Sequence, residues 1–293
     1  MSDQSDSRKK IAEALAEAAV LLRAAGATTN ARLDARTLLM HTLTRDHAFL
    51  LTHSDDEIAT AQLLSFRALV ARRAAGEPVQ YLTGRQEFYG LDFEVSPAVL
   101  IPRPETELLV ETALELLREI RAPLVCDVGT GSGCIPVALL NERTDVRAVA
   151  LDISPAALAV AARNAARHAV GERLTLLVSD CFAALDSSID EFTMIVSNPP
   201  YISERDLLQL QREVRDHEPR LALTPADGDG LSIIRRLITG APRFLIPGGH
   251  LLLEIGYDQH EAVANLIDPN IWTMLDTRPD LQGIPRTVVL RRD

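Results

Sequence analysis

From Pro123 onward, short apolar runs alternate with stretches of helical spacing, and that alternation confines the chain to a parallel sheet covered by helices on both faces. Leu124 to Val128, Val146 to Leu151, Leu174 to Val178, Met194 to Val196 and His250 to Ile255 have the length and composition of buried strands. Between them, Ile135 to Asn141, the alanine-rich Pro155 to His168 and Leu231 to Phe244 repeat apolar residues at three- and four-residue steps. Trp272 to Thr277 and Thr287 to Arg291 have no helix between them. They predict an antiparallel hairpin closing one edge of the sheet.

The earlier residues have a different rhythm. Ile11 to Ala25, Ala31 to Leu43 and about Asp55 to Ala75 read as amphipathic helices that must bury their apolar stripes against one another, so residues 1–76 are expected to form a helical bundle domain. Pro78, Gly84, Gly90, Pro97, Pro102 and Pro104 punctuate the next stretch, where Glu87 to Val95 alternates as a strand does. Residues 77–104 are therefore expected to be a β-hairpin linker and 105–293 the catalytic domain, its helical spacing resuming from Thr106 to Arg118.

Residues 1–75 hold ten Lys or Arg against nine Asp or Glu, so the negative charge, -11 over the whole chain, lies in residues 76–293. A surface of that sign argues against a protein that holds nucleic acid by neutralising phosphates. Cys126, Cys134 and Cys181 stand apart, without a CxxC pair or a histidine at ligand spacing, so buried thiols are expected and a metal site is not. The polar Met1 to Lys10 lacks the apolar stretch of a signal peptide, and no run of about 18 apolar residues occurs. A cytoplasmic protein without a membrane span is expected.

Asp127-Val128-Gly129-Thr130-Gly131-Ser132-Gly133 follows a predicted strand and opens a helix. Its glycines permit a tight turn that brings backbone close to a ligand. A dinucleotide fingerprint would put its third glycine at Cys134; here it falls at Gly133, the spacing expected for S-adenosylmethionine. Asp152 ends the next strand, where an acid can accept from ribose hydroxyls, although it could equally cap the helix after Ser154. Asp180 and Phe182 end the third strand, placed to accept from an adenine amino group and to pack on its ring.

The fourth strand runs straight into Asn198-Pro199-Pro200-Tyr201. Two prolines fix the local dihedrals and supply no N–H, so their carbonyls point out as acceptors. The Asn198 side-chain oxygen and the Pro199 carbonyl can each take one N–H of a planar amide or aromatic amine, with Tyr201 against its flat face. An ordinary Pro-Pro turn is the plainer reading, disfavoured by the three loops that precede it in order.

Asn198 to Tyr201 with the glycine loop resembles the amino-methyltransferases. Gln80 to Gly84, Leu100-Ile101-Pro102-Arg103-Pro104-Glu105-Thr106-Glu107 and Leu253-Glu254-Ile255-Gly256-Tyr257 narrow the resemblance to the peptide chain release factor glutamine methyltransferases of the HemK/PrmC type, over nearly the whole chain. That implies a class I S-adenosylmethionine-dependent methyltransferase fold, preceded by a helical domain and a hairpin linker; because the chemistry does not need this extra module, its helices and hairpin are expected to dock the release factor. It also implies methylation of the side-chain amide nitrogen of the glutamine in the Gly-Gly-Gln motif of class I release factors. Gly129, Thr130, Gly131, Ser132, Gly133, Asp152, Asp180, Phe182 and Asn198 would hold the cofactor, and Asn198 to Tyr201 the glutamine. Arg103 would shape the acceptor pocket or pair with a nearby Glu. His217 in Asp216-His217-Glu218-Pro219 and the Gln282 to Arg286 stretch depart from the family pattern, which bears on substrate contacts more than on the reaction.

Three other readings compete. A ribosomal protein glutamine methyltransferase shares the same chemistry. A DNA adenine-N6 methyltransferase shares both motifs but should carry a basic recognition domain. A non-enzymatic adaptor would not need Gly129, Gly131, Gly133, Asp152 and Asn198 intact.

Overall fold

The computed structural model describes residues 9–26, 28–188, 191–225 and 228–293. Most of the polar Met1 to Lys10 stretch lies outside the described residues. The chain divides into two units, one running to Gly84 and including Leu210–His217, the other comprising Arg85–Gln209 and Glu218–Asp293.

The first unit is built on helices Ile11–Ala24, Ala31–Leu43, His47–Thr52, Thr60–Ala74 and Val79–Thr83. Asn30 and Asp46 cap the second and third by accepting from the N–H groups of Leu33 and Phe49. Leu22, Leu38, Leu39, Leu63 and Phe66 form the core, each burial contributing about 1.5–3 kcal/mol. The Asp55 to Ala75 stretch does not start as a helix, because Glu57–Ile58 pairs antiparallel with Lys9–Lys10 and the helix begins at Thr60. Buried Arg73 binds Asp34 and Glu213, both at 2.7 Å, so the short helix Arg212–His217 is pinned to this unit by an ion pair that sequence spacing could not reveal.

The hairpin expected across 77–104 occupies only Arg85–Phe88 and Leu91–Glu94. Tyr89 and Gly90 form its two-residue turn, both at positive φ, as right-handed strand twist requires. Residues just before it are helical, and Leu82 joins the first unit's core, so the first unit extends past residue 76 to Gly84.

The second unit contains a seven-stranded sheet: β1 Leu124–Val128, β2 Arg147–Asp152, β3 Leu174–Val178, β4 Phe192–Ser197, β5 Leu245–Glu254, β6 Trp272–Pro279 and β7 Pro285–Arg292. Its order is β6-β7-β5-β4-β1-β2-β3. β3, β2, β1, β4 and β5 run parallel, and β7 is antiparallel to both β5 and β6, forming the expected edge hairpin. Alternate residues feed two cores: Val125, Met194, Val196 and Leu252 enter one, Cys126, Ile195, Leu251 and Leu253 the other. All three cysteines are free and buried. Among the described residues no helix is long and apolar enough to cross a membrane.

Candidate active site

β1 and β4 are parallel neighbours, and the strand order reverses between them: β2 and β3 lie on one side, β5 on the other. The loops leaving such a pair diverge and open a crevice at the carboxyl ends. Here those loops are Gly129–Gly133 and Asn198–Tyr201. Buried Ser197 ties their starts together, its Oγ donating to the Val128 carbonyl at 2.6 Å. A cavity of about 330 Å³ opens there, lined by Thr130, Gly131, Asp152, Asp180, Asn198 and Pro199 among others. A more open groove of about 450 Å³, near Glu111, Glu115 and Arg143, contains none of the motif residues and carries no part of this site.

The three loop glycines have different tasks. All sit at positive φ, at 77°, 53° and 78°. A Cβ on Gly129 or Gly131 would meet nothing within 4 Å, so these two leave open space beside the cavity. A Cβ on Gly133 would stand 3.0 Å from the Cβ of Ala161 in helix Pro155–Arg167. Gly133→Ala is therefore expected to destabilise the fold by about 1–3 kcal/mol, through the strained dihedral and the clash together. Gly129→Ala suffers the dihedral alone. Thermal unfolding of the two variants checks this, and equal losses would refute the packing role of Gly133.

Asp152 Oδ2 accepts from the Gly131 N–H at 2.8 Å, and Oδ1 from the Ser154 N–H at 2.9 Å. Ser154 itself caps the helix, accepting from Ala157. Asp152 thus braces the glycine loop and keeps one lone pair on each oxygen for a ligand. Burial raises its pKa, and the two backbone bonds pull the other way. Asp180 lines the cavity and pairs with Arg236 Nη1 at 2.9 Å. Phe182 is absent from the cavity lining: its ring packs 5.2 Å from Phe244 and lies against Gly240. The ring is partly buried against the second core.

Asp127 was not singled out by its sequence, yet it is the least comfortable group in the unit. It is fully buried, and neither carboxylate oxygen has a hydrogen-bond partner among the described residues; the same holds for the nearby Thr130 Oγ1. Burial pushes its carboxyl up to about 7, with Asp152 adding to the rise. Thr130 tempers it, though without a hydrogen bond of standard geometry. An unpaired buried acid beside a glycine loop suits a ligand that brings positive charge. S-adenosylmethionine, with its sulfonium and ammonium groups, fits these residues.

The acceptor loop is held from three sides. Asn198 Nδ2 donates to Thr106 Oγ1 at 3.0 Å, and Thr106 donates to Glu254 at 2.7 Å. The Tyr201 hydroxyl donates to the other Glu254 oxygen at 3.2 Å, while the Tyr201 carbonyl accepts from Gln259 Nε2 at 2.9 Å. Tyr201 is absent from the cavity lining; Asn198, Pro199 and Pro200 form that wall. Burial lifts the pKa of both Glu254 and Tyr201. Arg103 lines the cavity and pairs with Glu218 at 2.5 Å, a partner 115 positions away. Glu218 also accepts from the Ile101 N–H at 3.2 Å.

A sheet of this order, with a glycine loop and an Asn-Pro-Pro-Tyr loop meeting where the order reverses, defines a class I methyltransferase. Residues 13–84 match the family model described as the PrmC N-terminal domain, and residues 104–216 that described as the methyltransferase small domain. The chain is 48% identical over 275 residues to the release factor glutamine methyltransferase of Burkholderia pseudomallei (92% of this chain, 94% of the relative) and 46% identical over 282 residues to that of Cereibacter sphaeroides (96% and 98%). It belongs to the release factor glutamine methyltransferase family. Solved structures share the fold alone: the hMettl16 catalytic domain in complex with a MAT2A 3'UTR hairpin has a TM-score of 0.56 at 13% identity, covering 79% of this chain and 80% of that one. A methyltransferase from Pyrococcus furiosus has a TM-score of 0.51 at 15% identity, covering 77% and 96%.

Proposed function

We propose that this enzyme transfers a methyl group from S-adenosylmethionine to the side-chain nitrogen of the glutamine in the Gly-Gly-Gln motif of class I release factors. The observation that carries this reading is the shared cavity: the glycine loop and the Asn198 amide open onto one space, their bases joined by the Ser197 to Val128 hydrogen bond.

Gly129 to Gly133, Asp152 and Asp180 are the residues that would hold the cofactor, with the buried Asp127 carboxyl behind the glycine loop acting on it through its charge; the cofactor supplies an electrophilic methyl group on positively charged sulfur. Asn198 Oδ1 and the Pro199 carbonyl each accept one N–H of the substrate amide, fixing its plane and raising the electron density on nitrogen. An amide is a poor nucleophile, so positioning must supply most of the acceleration, up to roughly 7–11 kcal/mol in favourable cases. No strong base is needed. As the nitrogen gains carbon, the electron pair of the broken carbon–sulfur bond would stay on sulfur, and the nitrogen, now strongly acidic, would shed one of its two hydrogens as a proton to water while the other stays on the accepting oxygen.

The name carried by the relatives, and their match along nearly all of both chains, supports the release factor over other glutamine-bearing proteins. Labelled cofactor offered with release factor and a large-subunit ribosomal protein side by side tests the choice. Label on the release factor is expected; label on the ribosomal protein alone would keep the chemistry and overturn the substrate.

The first unit is proposed to dock the release factor, since the chemistry of the cavity does not use it. Val20 and Leu64 are large apolar residues exposed at 66% and 60%. Aspartate at both is expected to raise KM for the whole release factor about five- to tenfold. It should leave transfer to a short Gly-Gly-Gln peptide unchanged, and an unaltered KM for the whole protein would remove the docking role from these positions.

A further inference from the structure

We infer that Thr106 and Glu254 act as a positioning relay that sets which end of the Asn198 amide faces the substrate. The inference rests on the functional reading above, in which Asn198 accepts an N–H from the glutamine.

The argument is one of proton supply. A hydroxyl has a single proton to donate. Thr106 gives its proton to Glu254 Oε2 at 2.7 Å, and Tyr201 gives its own to Oε1 at 3.2 Å. Both Glu254 oxygens act as acceptors in this arrangement; burial raises the pKa of the group, and the hydrogen bonds from Thr106 and Tyr201 and the charge of Arg286 oppose that rise. Thr106 has only lone pairs left, and only a donor can face it. The Asn198 amide has one donor end, and Nδ2 takes that place at 3.0 Å. Planarity then fixes Oδ1 as the end left for a ligand. A flipped amide would set two acceptors against each other at Thr106 and turn N–H groups toward the nitrogen side of the substrate amide, where the hydrogens to be held are donors too. The whole chain is sheltered: Thr106 and Glu254 are each 2% exposed. An accepting carboxyl group at its far end also polarises the hydroxyl and the amide in series, which strengthens Oδ1 as an acceptor.

The three residues come from separate parts of the second unit. Thr106 ends the single-turn helix Pro104–Thr106, Glu254 ends β5, and Asn198 follows β4. This gives the Ile-Pro-Arg-Pro-Glu-Thr and Leu-Glu-Ile-Gly-Tyr stretches a physical task that neither reveals alone.

The test is a double-mutant cycle read by single-turnover transfer from labelled cofactor to release factor. Thr106→Val keeps the shape but removes the hydroxyl. It is expected to slow transfer about 10- to 100-fold, with cofactor affinity by calorimetry essentially unchanged. Thr106→Ser should recover most of the rate. Adding Thr106→Val to Asn198→Ala should cost nothing further, because the relay then has nothing to orient. Additive losses, or a serine variant as slow as valine, would overturn the relay while leaving the functional reading in place. Absence of label on the glutamine with wild-type enzyme would overturn the reading instead. The relay is then read without substrate, from the side-chain amide resonances of isotope-labelled protein. Asn198 amide protons shifted and exchanging faster in Thr106→Val support it, and unchanged resonances sink it.

Discussion

Asn198→Ala is expected to lower kcat by about 10²- to 10³-fold, the scale of removing one hydrogen-bonding group aimed at a reacting atom. The alanine deletes the oxygen that takes one N–H of the substrate amide, and the nitrogen can then rotate away from the attack direction. The loss should fall on kcat more than on KM, because the release factor is expected to bind through a surface far larger than one amide. Cofactor affinity should change little, since Gly129 to Gly133 and Asp152 remain braced by Leu151, Ser154 and one another. Steady-state and single-turnover rates on release factor check this. A kcat within a few-fold of wild type would mean that Asn198 lines the cavity without gripping the acceptor.

The second large effect concerns stability. Asp127 has its carboxyl raised from 3.8 to about 7 by burial. A group of this kind keeps its proton in the fold after the unfolded chain has lost it. Its contribution is therefore fully present below about pH 4 and is lost as pH rises to about 7. At roughly 1.36 kcal/mol per pKa unit, the loss has a ceiling on the order of 4 kcal/mol. Asp127→Asn carries no charge to bury. It is expected to match wild type at low pH and to be the more stable protein at pH 8, by less than that ceiling because its amide is buried in turn. The same substitution should weaken cofactor binding, because an anion that destabilises the empty site is useful only to a cationic ligand. Denaturant unfolding at pH 4 and pH 8, with calorimetric titration of cofactor, tests both halves. A variant less stable than wild type at pH 8 would contradict the assignment.

How much of this was legible in the sequence depended on whether the signal was local. Strand β1 and helix Ala31–Leu43 could be read to the residue, because a short, mostly apolar run marks the one and apolar residues at three- and four-residue steps mark the other. The glycine loop, Asp152 and the Asn-Pro-Pro-Tyr stretch were legible for the same reason: each follows a strand directly. What could not be read was long-range pairing. Glu254 reaches Thr106 across 148 positions and Arg103 reaches Glu218 across 115, and no periodicity encodes either. Arg73, in a helix that looked like plain packing, proves to hold a segment 140 residues away. Phe182 follows β3 as its sequence position indicates, and its ring also packs against Phe244 and Gly240, a contact between residues far apart in the chain that no local pattern encodes.

The central claim is that the cavity joining the two loops methylates one amide nitrogen, and the most direct test is residue-level mapping after a single turnover on intact class I release factor. Fragmentation of the peptide bearing Gly-Gly-Gln should place one methyl group on the glutamine side chain, with none when that glutamine is replaced by glutamate. A methyl group on any other atom of the release factor, or undiminished transfer to the glutamate variant, would contradict the account.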